Sequence, residues 1–312
     1  MAALFGPAKG AAVSIEITNI QKFLDHASVE VTPGGAKKIE DFRALLRPGT
    51  TVFVTFLPGS DFKDTLETVK RLYAEGMKPV PHFAARSLPS KAFFEENLKI
   101  LQAEAGVEEA LLIGGGVTTP VGEFASSMEV LRTDLLQKYG IKKLGIAGHP
   151  EGSPDIPPAE VTKALLEKNA YSKASGIEMY VTTQFCFEAE PIIEWDKRIR
   201  AEGNELPIHI GIPGLATIKT LLAHATACGI GPSMRIITRQ AANIAKLMTT
   251  RQPNKLVRDL ANYMANDPQC GINQVHLYPL GGMAKSAKWL YAVLDGKFTL
   301  HDEEGFELAV EI

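Results

Sequence analysis

The chain has 312 residues, 33 Lys+Arg against 36 Asp+Glu for a formal net charge of −3, and 45% hydrophobic residues. That length holds either one large α/β barrel or two ordinary domains, and it buries a full core without a disulfide or metal staple. The balanced charge excludes a basic nucleic-acid surface and an acidic disordered chain.

In chain order, eight short apolar runs read as strands buried on both faces, as parallel strands are. They are Val13–Thr18, Thr51–Phe56, Lys78–His82, Glu109–Ile113, Lys143–Ala147, Glu178–Thr182, Pro207–Gly211 and Asn273–Leu277. Helical periodicities lie between them. Asp61–Ala74 sets Phe62, Leu66, Val69 and Leu72 at steps of three and four, and Glu123–Tyr139 does so with Phe124, Met128, Leu131 and Leu135. Pro157–Pro158 starts a helix before Ala159–Lys168, and Leu215–Cys228 ends at a capping Gly229. Two helical stretches, Met234–Met248 and Asn254–Ala265, precede the last strand. Eight βα units without a linker or composition shift predict a single (β/α)8 TIM barrel over residues 1–312, with extra helices before the eighth strand; an open sheet of eight strands is the alternative. The tail beyond Leu294, with Asp302-Glu303-Glu304, reads as a solvated acidic terminus.

Cys186, Cys228 and Cys270 are widely spaced and form no CxxC, which fits a reduced cytoplasmic protein and excludes a Cys-type zinc site. Met1–Thr18 carries Lys9 and Glu16 and is a poor signal peptide, and no uncharged apolar run reaches the ~18 residues of a membrane span. Neither a membrane nor a nucleic-acid partner is expected.

A barrel of this kind carries its chemistry at the C-terminal ends of its strands. The residues there are Glu16, Thr55, His82, Gly114-Gly115-Gly116, His149-Pro150-Glu151, Gln184, Gly211-Ile212-Pro213 and His276-Leu277-Tyr278. Glu16 in a first strand is either a buried carboxylate with a raised pKa, suited to general acid work, or an ordinary Glu paired with Lys or facing solvent. His82 either bonds a ligand or caps its strand, and His149-Pro150-Glu151 is either a ligand loop or a surface turn. The three glycines after the fourth strand permit close backbone approach to a ligand, but their spacing is not G-x-G-x-x-G. Neither H-E-x-x-H nor G-x-S-x-G occurs, so no metal site and no serine hydrolase is indicated. Gln184 offers an amide that can read a heterocycle edge, with Phe185 or Phe187 as apolar contact, or these are core aromatics and a strand cap.

Taken in order, these segments resemble the methylenetetrahydrofolate reductase family from about Val13 to Leu294. The anchors are Ser14-Ile15-Glu16, Val54-Thr55, Pro81-His82, Ala147-Gly148-His149-Pro150-Glu151-Gly152, Thr183-Gln184-Phe185-Cys186-Phe187-Glu188, Pro207-Ile208 through Gly211-Ile212, and His276-Leu277-Tyr278. The resemblance implies a (β/α)8 flavoprotein that binds FAD and a folate and interconverts methylenetetrahydrofolate and 5-methyltetrahydrofolate, with NAD(P)H as the usual reductant. It implies that Glu16 protonates folate N10, that Gln184, Phe187 and Tyr278 line the pterin, and that Thr55, His82, Gly114, Gly115, Phe124, Ala125, Ala147, His149, Glu151, Asn169 and Lys173 line FAD. The last two match by their spacing before Gln184 and would face ribose and phosphate. The alternative is a folate- or pterin-binding barrel without flavin chemistry.

The departures from that resemblance are specific. Where the family has Leu-Arg-Gly-Asp, this chain has Leu112-Ile113-Gly114-Gly115; where it has Tyr-Thr-Leu-Asn-Arg, this chain has Tyr278-Pro279-Leu280-Gly281-Gly282; and Thr220 stands for a second Gln. A carboxylate near flavin disfavours the anionic reduced ring, so Gly115 implies a flavin that is easier to reduce and a bias toward oxidation of 5-methyltetrahydrofolate.

Overall fold

The computed structural model describes residues 9–57, 59–153, 156–227 and 248–312. Eight parallel strands close into a barrel: β1 (Ser28–Val31), β2 (Thr51–Val54), β3 (Lys78–Ala84), β4 (Glu109–Ile113), β5 (Lys143–Gly148), β6 (Glu178–Phe185), β7 (Ile208–Pro213) and β8 (Ile272–Tyr278). The sheet closes where β1 pairs with β8, Ser28 opposite His276 and Val29 opposite Leu277. Helices follow the strands on the outside, as the βαβ crossover requires. The open-sheet alternative is thereby excluded.

Seven of the eight expected strands are found, each within a few residues. The first is not. Val13–Thr18 lies inside a helix, Lys9–Leu24. Its β-branched run suggests a strand, but Ile17, Ile20, Phe23 and Leu24 recur at helical spacing, and that face is what the fold buries: Ile20, Phe23 and Leu24 are 0–1% exposed, whereas Val13 and Ile15 are 45% and 54% exposed. This helix packs against the helices Asn254–Asn266 and Met283–Leu294, outside the barrel wall. The true first strand is the four-residue Ser28-Val29-Glu30-Val31, whose period-two alternation sends Val29 and Val31 to the helices and Ser28 and Glu30 into the barrel.

Several helices also differ from expectation. The helix expected over Asp61–Ala74 is found at Phe62–Ala74, with Asp61 as its cap, its side chain accepting from Lys63 N. The stretch expected over Glu123–Tyr139 splits into Ser127–Leu131, opened by a Ser126–Glu129 capping box, and Leu135–Lys138; Asp134, at φ 56°, breaks it. Pro158–Ser175 is one long helix ended by Gly176 at φ 71°. The helix expected over Leu215–Cys228 begins at Ile218 and runs to Ala227, because Ala216–Thr217 pair with Thr250–Arg251 instead. Cys228, Gly229 and most of Met234–Met248 lie outside the described residues.

The C-terminal tail is not simply solvated. Phe298–His301 and Gly305–Leu308 form an antiparallel hairpin that buries Phe298 and Phe306, while Thr299, Glu307 and the run from His301 to Glu304 are exposed. Asn254 ties it down, donating to the Phe306 carbonyl at 2.7 Å and accepting from Trp289 Nε1 at 2.8 Å.

Most apolar side chains fill the layer between strands and helices. A second cluster, Phe53, Val80, Leu111 and Tyr180 with Ile113 packed against it, plugs the barrel interior and forms the floor of the mouth. No described helix is long and apolar enough to cross a membrane.

Candidate functional site

Strand alternation selects the inward set. Above the floor, at the C-terminal ends, it brings together Glu30 and Thr55, His82 and Ala84, Ile113, Ala147, Thr182, Gly211, His276 and Tyr278. The spacing of side chains along these strands is fixed by the pairing register, His82 lying opposite Leu111 and His276 opposite Gly211.

Glu30 is the carboxylate of this mouth. Its side chain is 19% exposed, and its Oε2 lies 3.6 Å from Nε2 of His276, which is 1% exposed. The other ring nitrogen of His276, Nδ1, is 2.8 Å from the Ser28 hydroxyl. Burial opposes ionisation of Glu30, but the His276 imidazole, and after it the nearby His82 and the Thr55 hydroxyl, outweigh burial and hold its carboxyl below the ordinary range. His276 is in turn wedged by aromatic rings, 4.4 Å from Phe53 and 4.7 Å from Tyr278 between centroids. Ser28, His276 and Glu30 thus run in sequence from the barrel interior to the mouth, the first two joined by a hydrogen bond and the last two 3.6 Å apart.

Glu16 is somewhere else. It sits on the outer helix, where Arg258 Nε reaches its Oε1 at 2.6 Å, Arg258 Nη2 its Oε2 at 3.2 Å, and Asn262 Nδ2 its Oε1 at 2.8 Å. The Arg258 hydrogen bond holds its carboxyl below the usual range, the reverse of what an acid requires. The expectation that Glu16 closes the first strand is therefore corrected: it is a structural ion-pair residue, and Glu30 occupies the position assigned to it. The signal that could have found Glu30 is the alternation Ser28-Val29-Glu30-Val31 followed by the helix-starting Thr32-Pro33.

His82 is 6% exposed, its Nε2 has no hydrogen-bond partner among the described residues, and its ring lies edge-on to Phe53 at 5.7 Å. Burial drives its pKa down to about 4, against the pull of Glu30. It is therefore neutral at physiological pH and holds one unused polar atom in the mouth, where a ligand can satisfy it. His82 and Ala84 also border a cavity of about 210 Å³ between the β2–β3 rim and Phe56, Phe62 and Phe93.

On the opposite wall, the β6–β7 register shifts between Thr182 and Phe185. Such a bulge re-aims side chains, and here it turns Gln184 out into solvent at the rim. The bulge demands a glycine across from it: a Cβ on Gly211 would meet the Thr183 and Gln184 carbonyl oxygens at 2.6 Å. The Thr183 hydroxyl accepts from Gly211 N at 2.8 Å, and Tyr278 Oη donates to the Thr183 carbonyl at 2.8 Å. Phe185 packs 5.2 Å from Tyr278 and 5.6 Å from Phe187, so these three rings form one aromatic edge of the mouth, with exposed Gln184 next to Phe185 in the chain.

The remaining expected residues divide. Thr55, Ala147, His149, Gly114 and Gly115 close strands at the mouth. Half-buried His149 is held below the usual imidazole range by burial and then by Lys168, and Glu151 lies close enough to the buried Cys186 for its charge to help hold that thiol up. Phe124 is 5% exposed within the main core, and Ala125 is exposed with its N–H on Glu129 Oε2. Asn169 and Lys173 are on the second half of the helix Pro158–Ser175, which runs away from the mouth. Asn169 is consumed by Leu165, Asn204 and Glu205, and Lys173 pairs with Glu205 at 2.6 Å. Their expected place at a ribose and phosphate is not what this geometry offers. The neighbouring Lys168, unremarked in the sequence, is 9% exposed and pushed down by burial to about 8. Among the described residues no group of three or more His, Cys, Asp or Glu side chains is placed to hold a metal ion.

No protein-family model matches the chain. Over 107 residues, 34% of this chain, it is 32% identical to methylenetetrahydrofolate reductase 2 of Saccharomyces cerevisiae. The matched stretch spans only 17% of the yeast protein. Among solved structures, FolP, a dihydropteroate synthase from Clostridium difficile determined in the presence of pteroic acid, aligns with 87% of this chain and 98% of its own at a TM-score of 0.41 and 13% identity. At that score the likeness bears on neither substrate nor chemistry.

Proposed function

We propose that this protein is a methylenetetrahydrofolate reductase-like flavin oxidoreductase. It interconverts 5-methyltetrahydrofolate and 5,10-methylenetetrahydrofolate with FAD, and it favours oxidation of the methyl form. The observation that carries the reading is half-buried Glu30 beside buried His276 at the barrel mouth, near the unsatisfied His82 and across from the Phe185–Tyr278 edge. The partial likeness to the yeast reductase supports the substrate class.

The mouth fits a flavin ring in one respect that can be tested on its own residues: His82 Nε2 is a buried polar atom left without a partner, at a strand end where a planar heterocycle can offer one. When bound, FAD supplies the two-electron hydride acceptor. Thr55, His82, Gly114, Gly115, Ala147 and His149 would hold it, whereas Asn169 and Lys173 do not fit its phosphates as they stand. Loss of hydride from the N5-methyl group leaves an iminium carbon; N10 attacks it, the methylene bridge closes, and the N10 proton leaves. Glu30, held as a carboxylate by His276, takes that proton. Run in the other direction, the same carboxyl returns it. Gln184 reads the pterin edge by donor and acceptor together, and Phe187 and Tyr278 exclude water from one side of it.

The test is anaerobic titration of the FAD-loaded protein with 5-methyltetrahydrofolate, followed at flavin wavelengths. Stoichiometric bleaching is expected, and a protein that takes up FAD but is not bleached overturns the reading. Mixing with NADH under the same conditions tests NAD(P)H as the electron partner. The position of Asn169 and Lys173 away from the mouth favours one alternative, a barrel that binds a folate or pterin without flavin. Tetrahydrofolate binding by a protein that never quenches FAD fluorescence would establish it.

A further inference from the structure

Gly115 does more than delete a carboxylate. It lies at φ 90°, in the left-handed region that side chains avoid, and a Cβ there would stand 3.0 Å from the Ala84 Cβ on β3. The backbone at this position is thus shaped so that an Asp could enter only with strain. The conformation turns the Gly115 carbonyl toward the segment that leaves β3, where Arg86 sits on the 3-10 turn Ala85–Ser87. Arg86 Nε donates to the Gly115 carbonyl at 3.1 Å, and its Nη2 donates to the same oxygen. The main chain of Arg86 is fixed as well: its N–H bonds the Gly114 carbonyl at 3.0 Å, and its carbonyl accepts from Val121 N at 2.8 Å. The β4 exit loop is therefore strapped onto the β3 exit, with the guanidinium as the buckle.

Among the described residues this guanidinium, half-buried, has no carboxylate partner. Two of its five N–H groups are spent on one carbonyl, and the rest are available. The Gly115 carbonyl beyond the end of β4 thus holds a positive side chain in place, contributed by the turn that leaves β3. We propose that Arg86 is the anion-recognition residue of the mouth and that it stabilises the negative charge a reduced flavin carries at N1. This rests on the flavin reading above.

The experiment is a dye-coupled redox titration of FAD-loaded wild type, Arg86→Gln and Arg86→Lys, with FAD affinity measured by fluorescence quenching. Arg86→Gln is expected to weaken binding of reduced relative to oxidised FAD about tenfold, a fall of about 30 mV in the two-electron potential. Arg86→Lys, which keeps the charge, should recover most of it. A potential unchanged in FAD-loaded Arg86→Gln overturns the inference alone. A wild-type protein that binds no FAD overturns the flavin reading and the inference with it. Should Arg86→Gln fail to fold, the wild-type holoprotein gives a second readout. Sulfite adds readily to flavins whose N1 charge is stabilised, so bleaching by sulfite is expected, and resistance to it overturns the assignment.

Discussion

Replacing Glu30 by Gln and Glu16 by Gln separates the two carboxylates that the sequence confuses. Glu30 is 19% exposed at the mouth with His276 Nε2 at 3.6 Å, whereas Glu16 is 21% exposed on the barrel exterior with Arg258 Nε at 2.6 Å. If Glu30 carries the N10 proton, removing its charge without changing its shape costs the general acid–base contribution, about a hundredfold to ten-thousandfold in rate, or about 3–5 kcal/mol of barrier. Glu16→Gln leaves the mouth untouched. It weakens a partly exposed ion pair and should cost about 1 kcal/mol of stability with no loss of rate. The assay is stopped-flow bleaching of FAD-loaded protein by 5-methyltetrahydrofolate in the absence of oxygen, with thermal melts alongside to establish that each variant is folded. A folded Glu30→Gln protein that reacts at the wild-type rate refutes the reasoning, and a Glu16→Gln protein slowed a hundredfold refutes the reassignment.

Three further outcomes are expected. His82 and His209 titrate in the folded protein at about 4 and about 2, both pushed down chiefly by burial, so the unfolded chain binds more protons than the native state below about pH 6.5. Their contribution is fully present at neutral pH and is lost as pH falls. At pH 5 each costs about 2 kcal/mol, or roughly 3 °C of melting temperature for a chain of 312 residues, so His209→Gln should melt with a visibly smaller drop between pH 7 and pH 5 than wild type. Lys168, lowered by burial to about 8, destabilises the fold at neutral pH, and that penalty fades as pH rises through the interval between about 8 and its ordinary value. Lys168→Met should therefore raise the melting temperature at pH 7, with the difference closing toward pH 10, as melts across that range will show. Gly211→Ala drives a methyl group into the Thr183 and Gln184 carbonyls and should part β6 from β7 at the bulge. A weakened affinity for tetrahydrofolate, measured by calorimetry, is the expected result, together with a loss of several kcal/mol of stability.

The sequence by itself determined the barrel. Seven strands are short apolar runs between helical periodicities, and that pattern is local: it needs only the alternation of burial along each element. It came within a few residues of the strand ends, because these are legible from the turn that follows: the last strand closes at Tyr278, whereas β3 runs past His82 to Ala84 and β6 past Thr182 to Phe185. It misplaced the carboxylate of the first barrel strand, which is Glu30 and not Glu16. Val13–Thr18 carries the β-branched composition of a strand, and Ser28–Val31 is only four residues with a charge at its third, so local preference pointed to the wrong segment. Tertiary packing decided between them by burying Ile20, Phe23 and Leu24 against the outer helices, which leaves β1 to fill the gap between β2 and β8. The spacing from Asn169 and Lys173 to Gln184 likewise said nothing about which end of the helix faces a ligand; the direction of the helix relative to the strands settled that. The partners that set the site's charge, His276 beside Glu30 and Arg86 beside Gly115, lie 246 and 29 residues apart in the sequence, in the second case across two adjacent strands. Such pairs are made only when the sheet closes and the register is fixed, because a charge's environment depends on distance through space and not on position along the chain.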